Sequence, residues 1–125
     1  MVFRKLCCGV LLATGCSMVA ADAAAPFLGK WNFEWQTGRG SYVGEMEITA
    51  DGGSWQTATT LRQNPCAGRK VPLQHDLASA DRLELTLKFA DVIPGCKNAT
   101  VKLWLNDKGE VVGKRSGQDL TLKRE

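Results

Sequence analysis

The stretch Gly29-Lys30-Trp31-Asn32-Phe33-Glu34-Trp35 constrains the fold more than any other in the chain. Trp31, Phe33 and Trp35 alternate with Asn32, Glu34 and Gln36, and a period-two pattern with three large rings on one side marks a half-buried strand. A single strand cannot cover such rings. They need a second layer of sheet, so the segment opens a sandwich or a barrel.

The rest of the chain repeats the alternation. Residues 42–49 set Tyr42, Gly44, Met46 and Ile48 against Val43, Glu45 and Glu47, and Asp51-Gly52-Gly53 then signals a tight turn. Residues 55–62 read as strand three, with Trp55, Thr57, Thr59 and Leu61 on one face. Residues 63–70 contain Asn64-Pro65-Cys66-Ala67-Gly68, which cannot continue a strand, and form a longer loop. Strand four places Val71, Leu73, His75 and Leu77 on one face. Strand five alternates Leu83, Leu85, Leu87 and Phe89 with Glu84, Thr86 and Lys88. A second long loop, residues 90–98, carries Pro94-Gly95-Cys96. Val101, Leu103 and Leu105 give strand six, Asn106-Asp107-Lys108-Gly109 a hairpin turn, residues 110–114 strand seven, and residues 120–124 the last strand after Ser116-Gly117-Gln118. No ten-residue stretch has a helical period. The prediction is an all-β protein: a single small up-and-down antiparallel barrel of about eight strands.

The chain has 125 residues, room for one domain. Residues 1–23 read as a signal peptide: Arg4 and Lys5 precede an apolar run over residues 6–13, and small residues around Ala21 and Ala23 suit a cleavage site. The barrel domain is then residues 24–125. The alternative is a lipoprotein signal ending at Cys16, because Ala13-Thr14-Gly15-Cys16 is similar to a lipobox, with Leu12 one place early. Acylation of Cys16 would be the only membrane attachment, and residues 17–26 a tether. Cys7, Cys8 and Cys16 fall in the leader, leaving Cys66 and Cys96 as an even pair in an oxidising compartment, from which one disulfide is expected. In a meander both cysteines lie in odd-numbered connections, hence at the same end, as a disulfide requires. The expected location is periplasmic or secreted, or anchored to the outer membrane as a lipoprotein.

Charge and chemistry narrow the function. The formal net charge is +3, from 16 Lys and Arg against 13 Asp and Glu, and Arg4 and Lys5 belong to the leader. A nearly neutral domain argues against nucleic acid as a partner. Locally, the long-loop end collects Arg39, Arg69, Lys70, Lys97 and Arg115, with Asp91 the one acid in residues 90–98. These cations would steer an acidic protein partner or an anionic small ligand; the competing reading is that they are merely solvated. Trp104 points away from Leu103, and an outward tryptophan can anchor a partner. Catalytic readings are weaker. Ser41, His75 and Asp76 lack the spacing of a triad, Glu45 and Glu47 share a solvated strand face, and a lone inward His75 reads as a core residue. With one histidine and no C-x-x-C spacing, neither a metal nor a cofactor is expected.

Gly29-Lys30-Trp31 at the start of the first strand and Arg124 in the last strand resemble the calycin superfamily of lipocalin and avidin-like barrels. The resemblance implies that Trp31 seals one end of the barrel with Arg124 packed over it. In size and in its single disulfide the chain is similar to small periplasmic barrel inhibitors of secreted proteases, in which a segment before the first strand blocks the enzyme. The matching segment is residues 24–28. The resulting expectation is a non-catalytic exported binding protein of the cell envelope that binds or inhibits another protein, such as a secreted hydrolase. The alternative is a small-ligand carrier of lipocalin type, against which stand the inward rings, which would fill much of the lumen.

Overall fold

The computed structural model describes residues 24–38, 40–58 and 65–125. The expected leader with Cys16, and Arg39, lie outside the described residues. After a short 3-10 turn at Ala25–Phe27 the chain forms β1 (Gly29–Thr37), β2 (Gly40–Thr49), β3 (Gly52–Thr57), β4 (Val71–Ala78), β5 (Arg82–Leu87), a one-turn helix α1 (Phe89–Val92), β6 (Ala99–Leu105), β7 (Val111–Arg115) and β8 (Gln118–Arg124). The eight strands run in sequence around a closed antiparallel barrel, and β8 returns to pair with β1. The predicted fold class is the observed one.

Alternation explains the core. Trp31, Phe33 and Trp35 of β1, Met46 and Ile48 of β2, Trp55 of β3, Leu83, Leu85 and Leu87 of β5, and Val101 and Leu103 of β6 are all buried and form one apolar cluster. The polar residues between them face out, so inside and outside are written by period two. Two glycines fit the walls together. Gly44 stands opposite Phe33 in the ladder, and a β-carbon there would collide with that ring and with the neighbouring backbone. Gly117, at φ +86°, comes after Ser116 at φ +48°; two left-handed residues in a two-residue loop make the tight hairpin between β7 and β8.

The two ends differ. The connections β2–β3, β4–β5 and β6–β7 are short turns beside the start of β1 and the end of β8; the opposite end carries the longer connections β3–β4 and β5–β6. A disulfide joins those two connections, between Cys66 and Cys96, whose Cα atoms are 5.9 Å apart across a sequence separation of 30. The shared-end expectation for the cysteines therefore holds.

The described part of strand three ends at Thr57, and its expected continuation over residues 59–62 lies outside the described residues. Three details depart from the sequence reading. The loop over residues 90–98 begins with α1, whose Phe89 and adjoining Ile93 are buried. In β4 a register shift between His75 and Leu77 inserts one residue. Because a bulge reverses the facing of the residues beyond it, Leu77 pairs with outward Glu84 and is 44% exposed rather than inward. Lastly, β7 runs to Arg115, not Lys114.

Candidate functional site

At the turn end the barrel is sealed. Phe27 is fully buried under the first strand and its carbonyl accepts a hydrogen bond from Trp31 Nε1 at 2.9 Å. Arg124 lies over the Trp31 ring, its Cζ 4.1 Å from the centroid. Its Nη1 donates to the Leu28 carbonyl at 2.8 Å and its Nη2 to the Pro26 carbonyl at 2.9 Å. The stack implied for Trp31 and Arg124 is present. The same contacts fix residues 24–28 as a plug: Ala24 and Phe27 are buried, and Pro26 and Leu28 are held through their carbonyls. The segment whose counterpart blocks an enzyme in the resembling inhibitors is here part of the barrel.

At the loop end the inward residues build an aromatic mouth. Phe33 of β1 stacks on Trp55 of β3 with centroids 3.7 Å apart, and Trp35 stacks on Tyr42 of β2 at 4.9 Å. Trp55 is fully buried, and its Nε1 donates to Thr57 Oγ1 at 3.0 Å. Into this mouth comes Arg115. On β7 the inward positions are Val111, Gly113 and Arg115, and Gly113, opposite Leu103 and Leu120, leaves room where a side chain would strike Leu103. Arg115 then lays its guanidinium 4.4 Å from the Trp35 centroid, with Trp55 at 5.7 Å and Phe89 at 5.8 Å.

Among the described residues no ion pair reaches this arginine. Its Nε is sealed from solvent without a hydrogen-bond acceptor. The ion pairs among the described residues are Arg82 with Glu84 and Lys114 with Asp119, both on the surface. Burial pushes the Arg115 guanidinium below its ordinary value, with the nearby Tyr42 phenol working the other way. An arginine still keeps its charge at any physiological pH. The sequence pattern assigns Arg115 to a solvated turn. The strand is one residue longer than its apolar pattern suggests, and that residue turns the cation inward.

Of the other expected basic residues, Arg39 lies outside the described residues, and no contact joins Arg69, Lys70 or Lys97 to Arg115 among the described residues. Arg69 and Lys97 are exposed. Lys70 lines a groove of about 110 Å³ on the outer wall together with Lys30, Glu45, Glu47 and Glu125, so its surroundings are acidic as well as basic. A continuous basic rim is not formed by the described residues. Trp104 faces outward as the alternation requires, opposite Arg82 on β5 and Val112 on β7. It is half-buried in an outer-wall groove of about 430 Å³ with Asp81, Arg82, Glu84, Lys102 and Leu105.

The catalytic candidates are apart. Ser41 lies on β2 near the mouth, whereas His75 lies on β4 toward the sealed end. His75 Nε2 sits 3.0 Å from the Gly52 carbonyl, which can only accept, so this nitrogen donates. The bond bridges β3 and β4 where their ladder has only the pairs Ser54 with Pro72 and Trp55 with Val71, a structural task. Among the described residues no group of three His, Cys, Asp or Glu side chains is arranged to hold a metal ion. Sequence reasoning placed Arg115 at this end of the barrel but not its inward position among the rings. The in-out count along β7, carried one residue further, is the signal that could have found it.

Comparison with protein-family models, with curated proteins and with solved structures finds no match for this chain.

Proposed function

We propose that this protein is an exported, non-catalytic binding protein of the cell envelope, a calycin-like barrel that recognises another protein, with a secreted hydrolase as the class of partner. The observation that carries the reading is the filled interior. Phe33, Trp35, Trp55 and Phe89, with Arg115 laid across the last three, occupy the space that a lipocalin-type carrier would keep open. A carrier needs a pocket of roughly 300 Å³ or more to enclose its ligand. Recognition is thereby left to the mouth and the outer wall. The plugged position of residues 24–28 moves any inhibitory contact away from that segment and toward the disulfide-linked loops.

Native mass spectrometry of the protein purified from envelopes tests this directly. The proposal expects a bare chain, lacking its leader and carrying no small molecule, that shifts to a stoichiometric complex with one secreted hydrolase and lowers its activity. A small molecule retained at one per chain would replace the proposal with the carrier reading. The same intact mass separates cleavage near residue 23 from acylation at Cys16.

A further inference from the structure

We infer that the mouth is a carboxylate-binding site in which Arg115 is the receiving group. The inference starts from an imbalance. A buried cation is normally paired, and a buried donor is normally bonded. Arg115 is half-buried, its Nε is sealed without an acceptor, and no ion pair reaches it among the described residues. It is not a loose side chain either, because the Trp35 ring holds one face of its guanidinium at 4.4 Å. The fork is thus pre-oriented and its charge unspent.

The site selects a class of anion. A planar guanidinium matches a planar carboxylate with two parallel hydrogen bonds. Nε is the one buried side-chain polar atom without a partner among the described residues, so Nη1 and Nη2 remain open to solvent and are the atoms an incoming carboxylate would meet. A phosphate dianion asks for more donors and more positive charge than one arginine supplies. Here the neighbours are the rings of Trp35, Trp55 and Phe89, with Tyr42 beside them. Trp35, Trp55 and Phe89 are themselves buried and hold the guanidinium, so among these rings the half-buried Tyr42 is the one left to meet an apolar or aromatic group attached to the acid. The bridge between Cys66 and Cys96 ties together the loops flanking the mouth, which lowers the entropy lost on binding. The carboxylate could come from a free small acid or from the side chain or C-terminus of a protein, and the chemistry is shared. The inference deepens the proposed function by naming what the mouth recognises, and it rests on the mouth being the binding surface.

The test needs no partner, so its failure is distinct from failure to find a hydrolase. Tryptophan fluorescence and the Arg115 Nε–H signal in 15N NMR would be monitored while titrating four probes at constant ionic strength. These are benzoate, an acetylated peptide ending in phenylalanine with a free carboxylate, the C-terminal amide of that peptide with an internal glutamate, and inorganic phosphate. The expected result is a saturable change in both signals with at least one of the three carboxylate probes, and binding at least tenfold weaker for phosphate. Which carboxylate binds tells a free acid, which keeps the site but returns the protein to the carrier reading, from a chain terminus or an acidic side chain, which fits the protein partner. Arg115→Met should abolish the fluorescence response with the fold retained, and Arg115→Lys, which keeps charge but loses the fork, should weaken it about tenfold. No saturable Nε–H shift with any carboxylate, phosphate binding as tightly as carboxylate, or an undiminished response in folded Arg115→Met would each overturn the inference. The NMR arm reads the wild-type protein, so it decides the matter even should both variants misfold.

Discussion

Each end of the barrel carries an arginine stacked on a tryptophan of β1, and the two stacks differ in what else the arginine touches. Arg124 covers Trp31 and spends its terminal nitrogens on the Leu28 and Pro26 carbonyls. Arg115 covers Trp35 and has no acceptor on Nε. The more exposed arginine is the satisfied one, the reverse of what stability alone would arrange, because an unmet donor costs most where water is excluded. Similar geometry therefore serves two purposes. At the sealed end it locks the first and last strands to the plug; at the mouth it holds a charge ready.

The largest effect expected to sharpen this contrast comes from the seal. Trp31→Ala should destabilise the protein by roughly 3 to 5 kcal/mol, since it deletes a large buried ring. It also leaves Arg124 without its stacking partner. Trp104→Ala, on the half-buried outer wall, should lose far less, and paired denaturation midpoints measure the difference. Equal large losses would mean that the outer face of β6 is as important to the core as the seal. Next comes the covalent tie at the mouth. Cys66→Ala should lower stability by roughly 3 to 4 kcal/mol in the chain-entropy picture of a 30-residue separation. It should also leave Cys96 reactive toward a thiol reagent in the partly opened mouth; oxidised wild-type protein that labels at both cysteines would remove the tie from the account.

The two arginines give the most direct comparison. Arg124→Met should reduce stability by about 1 to 2 kcal/mol, through loss of two charge-assisted hydrogen bonds and a cation-π contact at a partly solvated site. Arg115→Met should be within about 0.5 kcal/mol of wild type or more stable, because it removes a buried donor that nothing satisfies. Urea midpoints of the two variants decide it. If Arg115→Met loses as much as Arg124→Met, the mouth arginine is a structural strut and the contrast between the ends collapses.

Much of this was legible in the chain because barrels write their interior by period two. The rings of β1 and the leucines of β5 announce their facing, whereas the seal of Trp31 by Arg124 is implied by the resemblance of Gly29-Lys30-Trp31 and Arg124 to calycin barrels and not by the alternation. What was hidden depends on counts that a pattern cannot fix. Arg115 looks like a turn residue because Ser116 and Gly117 come next, yet the hairpin needs only those two, so the strand claims Arg115. Leu77 looks inward until the extra residue in β4 reverses it, and no composition signal marks that insertion. Lys70 is adjacent to Arg69 in sequence, but it serves the outer wall beside Glu45 and Glu47. Charge clusters on loops read from sequence take no account of such splaying.

The smallest expected effect concerns Asp76, at the β4 irregularity on the way to the sealed end. Its Oδ2 accepts from the Thr86 hydroxyl at 2.6 Å and its Oδ1 from the Gln74 amide at 2.8 Å. The Thr86 bond first and the Gln74 bond second hold its carboxyl below the ordinary aspartate range, against the opposition of burial and with still smaller help from Lys88 and His75. A folded-state value below the unfolded one of about 3.9 means that the ionised carboxylate favours the fold. That contribution is present above about pH 4 and is lost as pH falls through the lower folded-state value. Because Asp76 is exposed, solvent screening keeps it below about 1 kcal/mol. Asp76→Asn should accordingly melt slightly below wild type at pH 7, with the gap narrowing only below about pH 4. A gap that stays constant down to about pH 2.5, or closes between about pH 5 and 6, would show that Asp76 does not set the acid response of this wall. Arg115 keeps its charge throughout that range, so carboxylate binding at the mouth should track ionisation of the probe acid and not of Asp76. Running the benzoate titration on Asp76→Asn separates the two: an unchanged pH profile keeps the sealed-end wall and the mouth independent, and a shifted one couples them.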